Sequence, residues 1–168
     1  GLTRLASVDG VEQCLASSAL IGCQVAPVLL KTDAKTLLAN PLLTEEVFGP
    51  AGLVVCCRSR NEMLLAAESL PGQLTATVHG TAEELKSCGE LISILERKAG
   101  RLIMNGFPTG VEVCAAMNHG GPYPATTDSR STSVGIDAMK RFLRPVCYQN
   151  FPQELLPESL RDQNDDKD

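Results

Sequence analysis

Tryptophan is absent from this chain, and four Phe and two Tyr leave aromatics at 4% of its 168 residues. The interior must therefore be filled by aliphatic side chains. No apolar run approaches the roughly 20 residues that a membrane-spanning helix needs, and the opening residues show no secretory pattern. No membrane partner is expected, and the expected location is cytoplasmic. Positive charge is also in short supply: 15 Lys and Arg stand against 20 Asp and Glu, a net charge of −5. The segment Asp162–Asp168 holds four Asp and one Lys, or −3, which leaves the body near −2. With no basic stripe to meet phosphates, no nucleic-acid partner is expected. A C-x-x-C pair is missing too. The seven cysteines (Cys14, Cys23, Cys56, Cys57, Cys88, Cys114, Cys147) are odd in number and mostly lie in apolar runs. Apart from Cys114, which lies in a loop, they are expected to be reduced core residues, not a disulfide scaffold or a metal site.

What is present is a 43% apolar chain able to bury one core. Gly1 takes the place of Met, and the chain reads as a piece of a longer one. Asp9 with Glu12, followed by Val11, Cys14, Leu15 and Ala19 and then Gly22, predicts a helix. Val25–Leu30 is β-prone, with Pro27 confining it to a sheet edge or an irregular stretch. From Leu53 the pattern is regular. Leu53–Cys57 predicts a strand covered on both faces. Ser59 with Glu62 predicts a capping box opening a helix that carries Met63, Leu64, Ala67 and Leu70, and Pro71-Gly72 ends it. Gln73–His79 alternates as a second strand. Thr81 with Glu84 opens one long helix closed by Gly100, and Arg101–Asn105 is a third strand. The resulting fold class is α/β, a β-α-β-α-β unit with parallel strands. A helix over Ser131–Phe142 and a short strand over Leu143–Tyr148 follow, then an acidic tail.

Two stretches carry candidate chemistry. In such sheets ligands gather beyond the carboxyl ends of strands, so the loop Asn105–Pro124, rich in Gly and Pro, is a site candidate. The second is Leu43-Thr44-Glu45-Glu46-Val47-Phe48-Gly49-Pro50, where Gly-Pro forces a chain reversal. A carboxylate presented there can accept two hydrogen bonds from paired ribose hydroxyls, and the adjacent ring offers a face to a heteroaromatic group. The alternative is an acidic surface turn with Phe48 plugged into the core.

Glu46-Val47-Phe48-Gly49-Pro50 resembles the Glu-x-Phe-Gly-Pro signature of the NAD(P)-dependent aldehyde dehydrogenase superfamily. The order of elements, the strand ending in Asn105, Pro122-Tyr123 and the final strand are similar to its catalytic domain as well. The wording from Asn118 to Gly135, with Arg141–Asn150, is similar to one semialdehyde-oxidising branch. The resemblance implies an incomplete catalytic-domain sheet in residues 1–142, an oligomerisation strand in 143–150 and a surface extension in 151–168. It implies NAD or NADP as cofactor, with Glu46 on the nicotinamide ribose and Phe48 beside the nicotinamide. Phe107, Tyr123 and His119 would border a small-molecule aldehyde. The rest of the parent enzyme and further copies of the chain would be its partners.

The family's Gly-Gln-x-Cys nucleophile motif and its general base are not found in the chain, which implies a C-terminal part that is inactive alone. Two other readings compete. Cys114 with His119 and Asp128 suggests a thiol hydrolase, whose dyad would need hydrogen-bond contact. The chain could also be a non-catalytic α/β module that assembles through its last strand.

Overall fold

The computed structural model describes residues 1–16, 22, 24–108, 110–111 and 114–162. The chain opens with a short helix that sequence patterning missed, α1 (Leu2–Ala6). The expected helix after Asp9 is instead a strand, β1 (Glu12–Ala16), antiparallel to β2 (Val28–Asp33). Gly10 takes a left-handed turn (φ 84°), and its carbonyl accepts from Thr32 Oγ1 at 2.8 Å, so Asp9 does not open a helix. Pairing sets Glu12 opposite Lys31 and Leu15 opposite Leu29, with a register shift between Gln13 and Leu15. That shift disguises the strand as a helical stripe, and tertiary pairing overrides the local pattern. Ala19 of the expected stripe lies outside the described residues. Pro27 precedes β2 without entering it, so β2 is the central strand of its sheet and not an edge. Leu30 on β2, 1% exposed, is the most buried large side chain among the described residues. Asp33 then caps α2 (Ala34–Ala39), accepting from Thr36 N at 2.8 Å, and a 3₁₀ turn (Pro41–Thr44) leads to Glu46.

β3 (Ala51–Cys56) pairs parallel with β2. Gly52, Val54 and Cys56 are exposed in alternation, so β3 is covered on one face and not on both. Ser59 caps α3 (Arg60–Ser69), but Glu62 accepts from Arg58 N and not from the cap residue, leaving the box half made. β4 (Gln73–Val78) follows, and Thr81 with Glu84 forms the complete box that opens α4 (Ala82–Ser87). The single long helix expected here divides, with α5 running over Gly89–Lys98. Arg60 Nη2 donates to the Ser87 carbonyl at 2.8 Å, occupying an acceptor that a continuous helix uses, and Gly89 adds little helical preference. β5 (Ala99–Met104) starts before the expected position, so Gly100 belongs to the strand and is not the helix stop.

β4 and β5 are parallel partners. β3 and β4 are not joined, so the β-α-β-α-β order makes a three-stranded sheet, β1-β2-β3, and a separate pair, β4-β5. Two cores follow. One gathers Leu5, Leu30, Leu37 and Leu43, the other Leu91, Ile94 and Leu95. α3 spans both, giving Ala66 to the first and Ala67 to the second.

Beyond β5 regular structure thins. The helix expected from Ser131 is reduced to a 3₁₀ segment, Ile136–Phe142, because Gly135 (φ 95°) interrupts it and Thr132 bonds to Val134 O. Leu143–Tyr148 forms no ladder among the described residues, since a strand needs a neighbour and none is supplied. The core placement expected for the other cysteines is also corrected: Cys14, Cys56, Cys57 and Cys147 are exposed and Cys88 half-buried, while the loop residue Cys114, not expected in the core, is half-buried as well. Two-residue alternation puts Cys56 on the open face of β3. Cys23 lies outside the described residues. Among the described residues no helix is long and apolar enough to cross a membrane, and no cluster of potential metal ligands occurs.

Candidate functional site

Two open clefts lie at opposite ends of the parallel strands. At the amino ends, Glu45 and Glu46 face Pro71–Thr75 and the turn Pro124–Ala125 across a cleft of about 590 Å³. The segment 118–125 reaches it by lying directly on the starts of β4 and β5. A Cβ at Gly100 would overlap the Gly120 carbonyl, one at Gly121 the Gln73 carbonyl, and one at Gly72 the Pro122 carbonyl. Asn118 Nδ2 donates to Gly100 O at 2.9 Å, and Thr126 Oγ1 to Gly121 O at 2.9 Å. His119 is held by its backbone: its N–H donates to the buried Thr132 hydroxyl at 2.8 Å, and its carbonyl accepts from Ser133 Oγ at 3.0 Å.

The rings at this end point outward. Phe48 is 91% and Tyr123 81% exposed, so Phe48 is no core plug. Gly49 (φ 139°) makes the reversal that presents it.

At the carboxyl ends, Asn105 takes a left-handed conformation (φ 51°). Its side chain brackets Gly80, Oδ1 accepting from Gly80 N at 2.8 Å and Nδ2 donating to Gly80 O at 2.9 Å. This clamp launches Phe107, 80% exposed, whose ring meets His79 at a centroid distance of 5.2 Å. Beside it Cys57, Arg58, Arg60, His79 and Cys88 line a second cleft of about 510 Å³. Partial burial, with the Glu62 carboxylate and Cys56 nearby, pushes the Cys57 thiol up, which keeps it protonated and poorly nucleophilic at neutral pH. Sequence reading passed this cleft over, although each strand end that borders it was in view.

The fold thus brings Glu46 to the turn that follows Tyr123 and keeps Phe107 apart, at the other end of the strands. The loop expected to crown the carboxyl ends leaves from there but returns to the amino ends. Asp128 is engaged by Arg130 at 3.0 Å, which holds its carboxyl below the usual range. Among the described residues no hydrogen bond joins Cys114 to His119.

No model of a known protein family matches the chain. It is 50% identical over 165 residues to the α-ketoglutaric semialdehyde dehydrogenase 2 of Azospirillum brasilense, and that match takes in 98% of this chain. It is 49% identical, again over 98% of its length, to the α-ketoglutaric semialdehyde dehydrogenase of Acinetobacter baylyi. The chain spans about a third of these relatives, 31% and 32% of their lengths. In three dimensions it is similar to the crystal structure of an apo betaine aldehyde dehydrogenase variant from Staphylococcus aureus. The TM-score is 0.62 at 17% identity, over 84% of this chain and 27% of that one, a likeness of fold.

Proposed function

We propose that this chain is the C-terminal part of an NAD(P)-dependent aldehyde dehydrogenase that oxidises α-ketoglutaric semialdehyde to the dicarboxylate. The observation that carries the reading is near-half identity to such enzymes along almost the whole chain. The convergence of Glu46 and the turn after Tyr123 on one cleft supports it. A cleft of about 590 Å³ is of the size that holds a small substrate or one end of a cofactor.

In this reading Glu46 accepts the hydroxyls of the nicotinamide ribose, and Phe48 lies against the nicotinamide. Both features suit that half of NAD or NADP: a carboxylate lines the cleft and an uncovered ring stands two residues away. The cofactor supplies the hydride acceptor when bound. Tyr123 and His119 border the aldehyde, where an aromatic wall keeps water from the acyl intermediate. Phe107 would join them only through a different loop path after Asn105. The nucleophilic cysteine and the general base belong to the remainder of the polypeptide, and the chain alone is inactive.

The test is reconstitution. The chain is co-expressed with the Azospirillum relative from which its matching third has been removed, and reduction of NAD+ and NADP+ is followed with the semialdehyde. Activity is expected only from the combination, and Glu46→Gln should lower kcat/KM by about tenfold or more, ~1.4 kcal/mol. Aldehyde oxidation by the isolated chain, or an assembled but inactive combination, would overturn the reading.

The assembly-module reading has one observation in its favour. Residues 139–155 are exposed throughout, with Phe142, Leu143, Val146 and Tyr148 among them. This arm suits an edge strand of a homo-oligomer, as an extension of the enzyme reading and not a rival to it.

A further inference from the structure

The pair β4-β5 has two unlike faces. Ala76, Val78 and Leu102 pack with Ala67 of α3 and with Leu91, Ile94 and Leu95 of α5. By the two-residue alternation of strands, Thr75, Thr77, Arg101 and Ile103 turn to the opposite face, where the register sets Arg101 beside Thr75. All four are half-buried. Arg101 is the unusual member. Its Nε is buried and has no hydrogen-bond partner among the described residues. Its Nη1 donates to Met117 Sδ at 3.6 Å, and a thioether is a weak acceptor. By contrast Arg4, Arg58, Arg60, Arg97 and Arg130 each meet a carboxylate, and Arg161 donates to two carbonyls. Arg130 shows the pairing in full: Nε and Nη2 donate to the two oxygens of Asp128 at 3.0 and 3.2 Å. The same Nε–Nη2 edge is the part of Arg101 left open.

We propose that Arg101 is an ionic anchor, whose Nε–Nη2 edge receives the carboxylate of an Asp or Glu carried by the remainder of the longer polypeptide. This rests on the reading of the chain as part of a longer enzyme, since it spans 31% of its Azospirillum relative. A buried guanidinium nitrogen left unpaired is costly, and native proteins leave few of them. The rigid fork of donors matches a carboxylate side-on, with two parallel N–H bonds. The Thr75 hydroxyl on the neighbouring strand can donate to a further lone pair of the same carboxylate, which offsets part of its desolvation. Arg101 lines neither of the two clefts described above, so the carboxylate that reaches it belongs to a protein surface and not to a free small anion. Nearby acidic groups of the chain itself are already taken. Asp137, which shares a cleft with Met117, is held by Lys140 at 2.9 Å, and Asp128 is held by Arg130.

The isolated chain and its complex with the shortened Azospirillum relative should respond in opposite ways to one substitution. Arg101→Met removes the charge and keeps an unbranched apolar stem. In the isolated chain it should leave the urea midpoint unchanged or raise it, because the cation it removes has no carboxylate there. In the complex it should weaken association at least about thirtyfold, read by titrating one labelled piece with the other. Arg101→Glu should abolish association, and reversal of one Asp or Glu of the relative to Lys should restore it. A lowered urea midpoint for Arg101→Met in the isolated chain would put the partner among the chain's own carboxylates and overturn the proposal. Unchanged association, the lack of any restoring reversal, or failure of the unsubstituted pieces to associate would overturn it too. A complex that oxidises the semialdehyde and binds Arg101→Met as tightly removes the anchor and leaves the catalytic reading intact. Association that depends on Arg101 without oxidation does the reverse.

Discussion

Asn105 is the residue whose side chain does what a strand backbone normally does. With φ at 51° it turns the chain out of β5, and its amide pairs with both backbone groups of Gly80. Asn105→Gly keeps the torsion at no steric cost but loses both bonds, whereas Asn105→Ala loses the bonds and also strains the backbone. Urea titration should show a loss of about 1 kcal/mol for the glycine variant and roughly 1 kcal/mol more for alanine. Equal losses would mean that the torsion contributes nothing. Acid sensitivity also belongs to single side chains. The Asp33 carboxyl is lowered by the Thr36 backbone N–H, that of Glu84 by the Thr81 backbone N–H and that of Asp128 by Arg130. A depressed folded-state pKa stabilises above the unfolded value, near 4, and the contribution disappears as pH falls through the folded value. The urea midpoint should therefore fall below about pH 4 while staying level from 5 to 7. Asp33→Asn should flatten part of that fall.

At the scale of elements, the parts that were legible in the sequence are those fixed by near neighbours. Ser59 and Thr81 announce α3 and α4 because their hydroxyls cap N–H groups three residues on. β4 shows its alternation directly. β1 was not legible, because its identity comes from pairing with Lys31 and Leu29, and the shift after Gln13 hides its period. The break at Cys88 depends on Arg60, 27 residues away from Ser87. Glu46 was legible as a candidate from the reversal that follows it. The separation of Phe107 from Tyr123 was not, because it depends on the path of a loop pinned by glycines in other elements. That pinning is testable. Gly100→Ala pushes a Cβ into the Gly120 carbonyl, backbone that cannot rotate away, and should cost about 1–3 kcal/mol by urea titration. It should also expose the 118–125 segment to limited proteolysis. Gly89→Ala, with open space around it at the first position of α5, should instead raise stability by about 0.5–1 kcal/mol.

For the whole molecule, surface area is the informative quantity. The chain exposes 12392 Å² at 17.9 kDa, where a compact monomer of that mass exposes roughly 8,000 Å². Among the described residues, the sources of the excess include the outward rings of Phe48, Phe107 and Tyr123 and the uncovered arm from Met139 onward. An unfolded chain of this mass exposes about 26,000 Å², so unfolding uncovers only about three-quarters of the area that a compact domain of equal size would. Because the denaturant slope follows that area, the urea m-value of the isolated chain should be about three-quarters of the value for a compact domain of its length. Joining the chain to the remainder of its polypeptide should cover the cleft mouth, and the slope attributable to this segment should rise toward the full value. A full-sized slope for the isolated chain would mean that its exposed surface is folded away in solution. In that case no accessible mouth beside Glu46 would remain for a partner to complete.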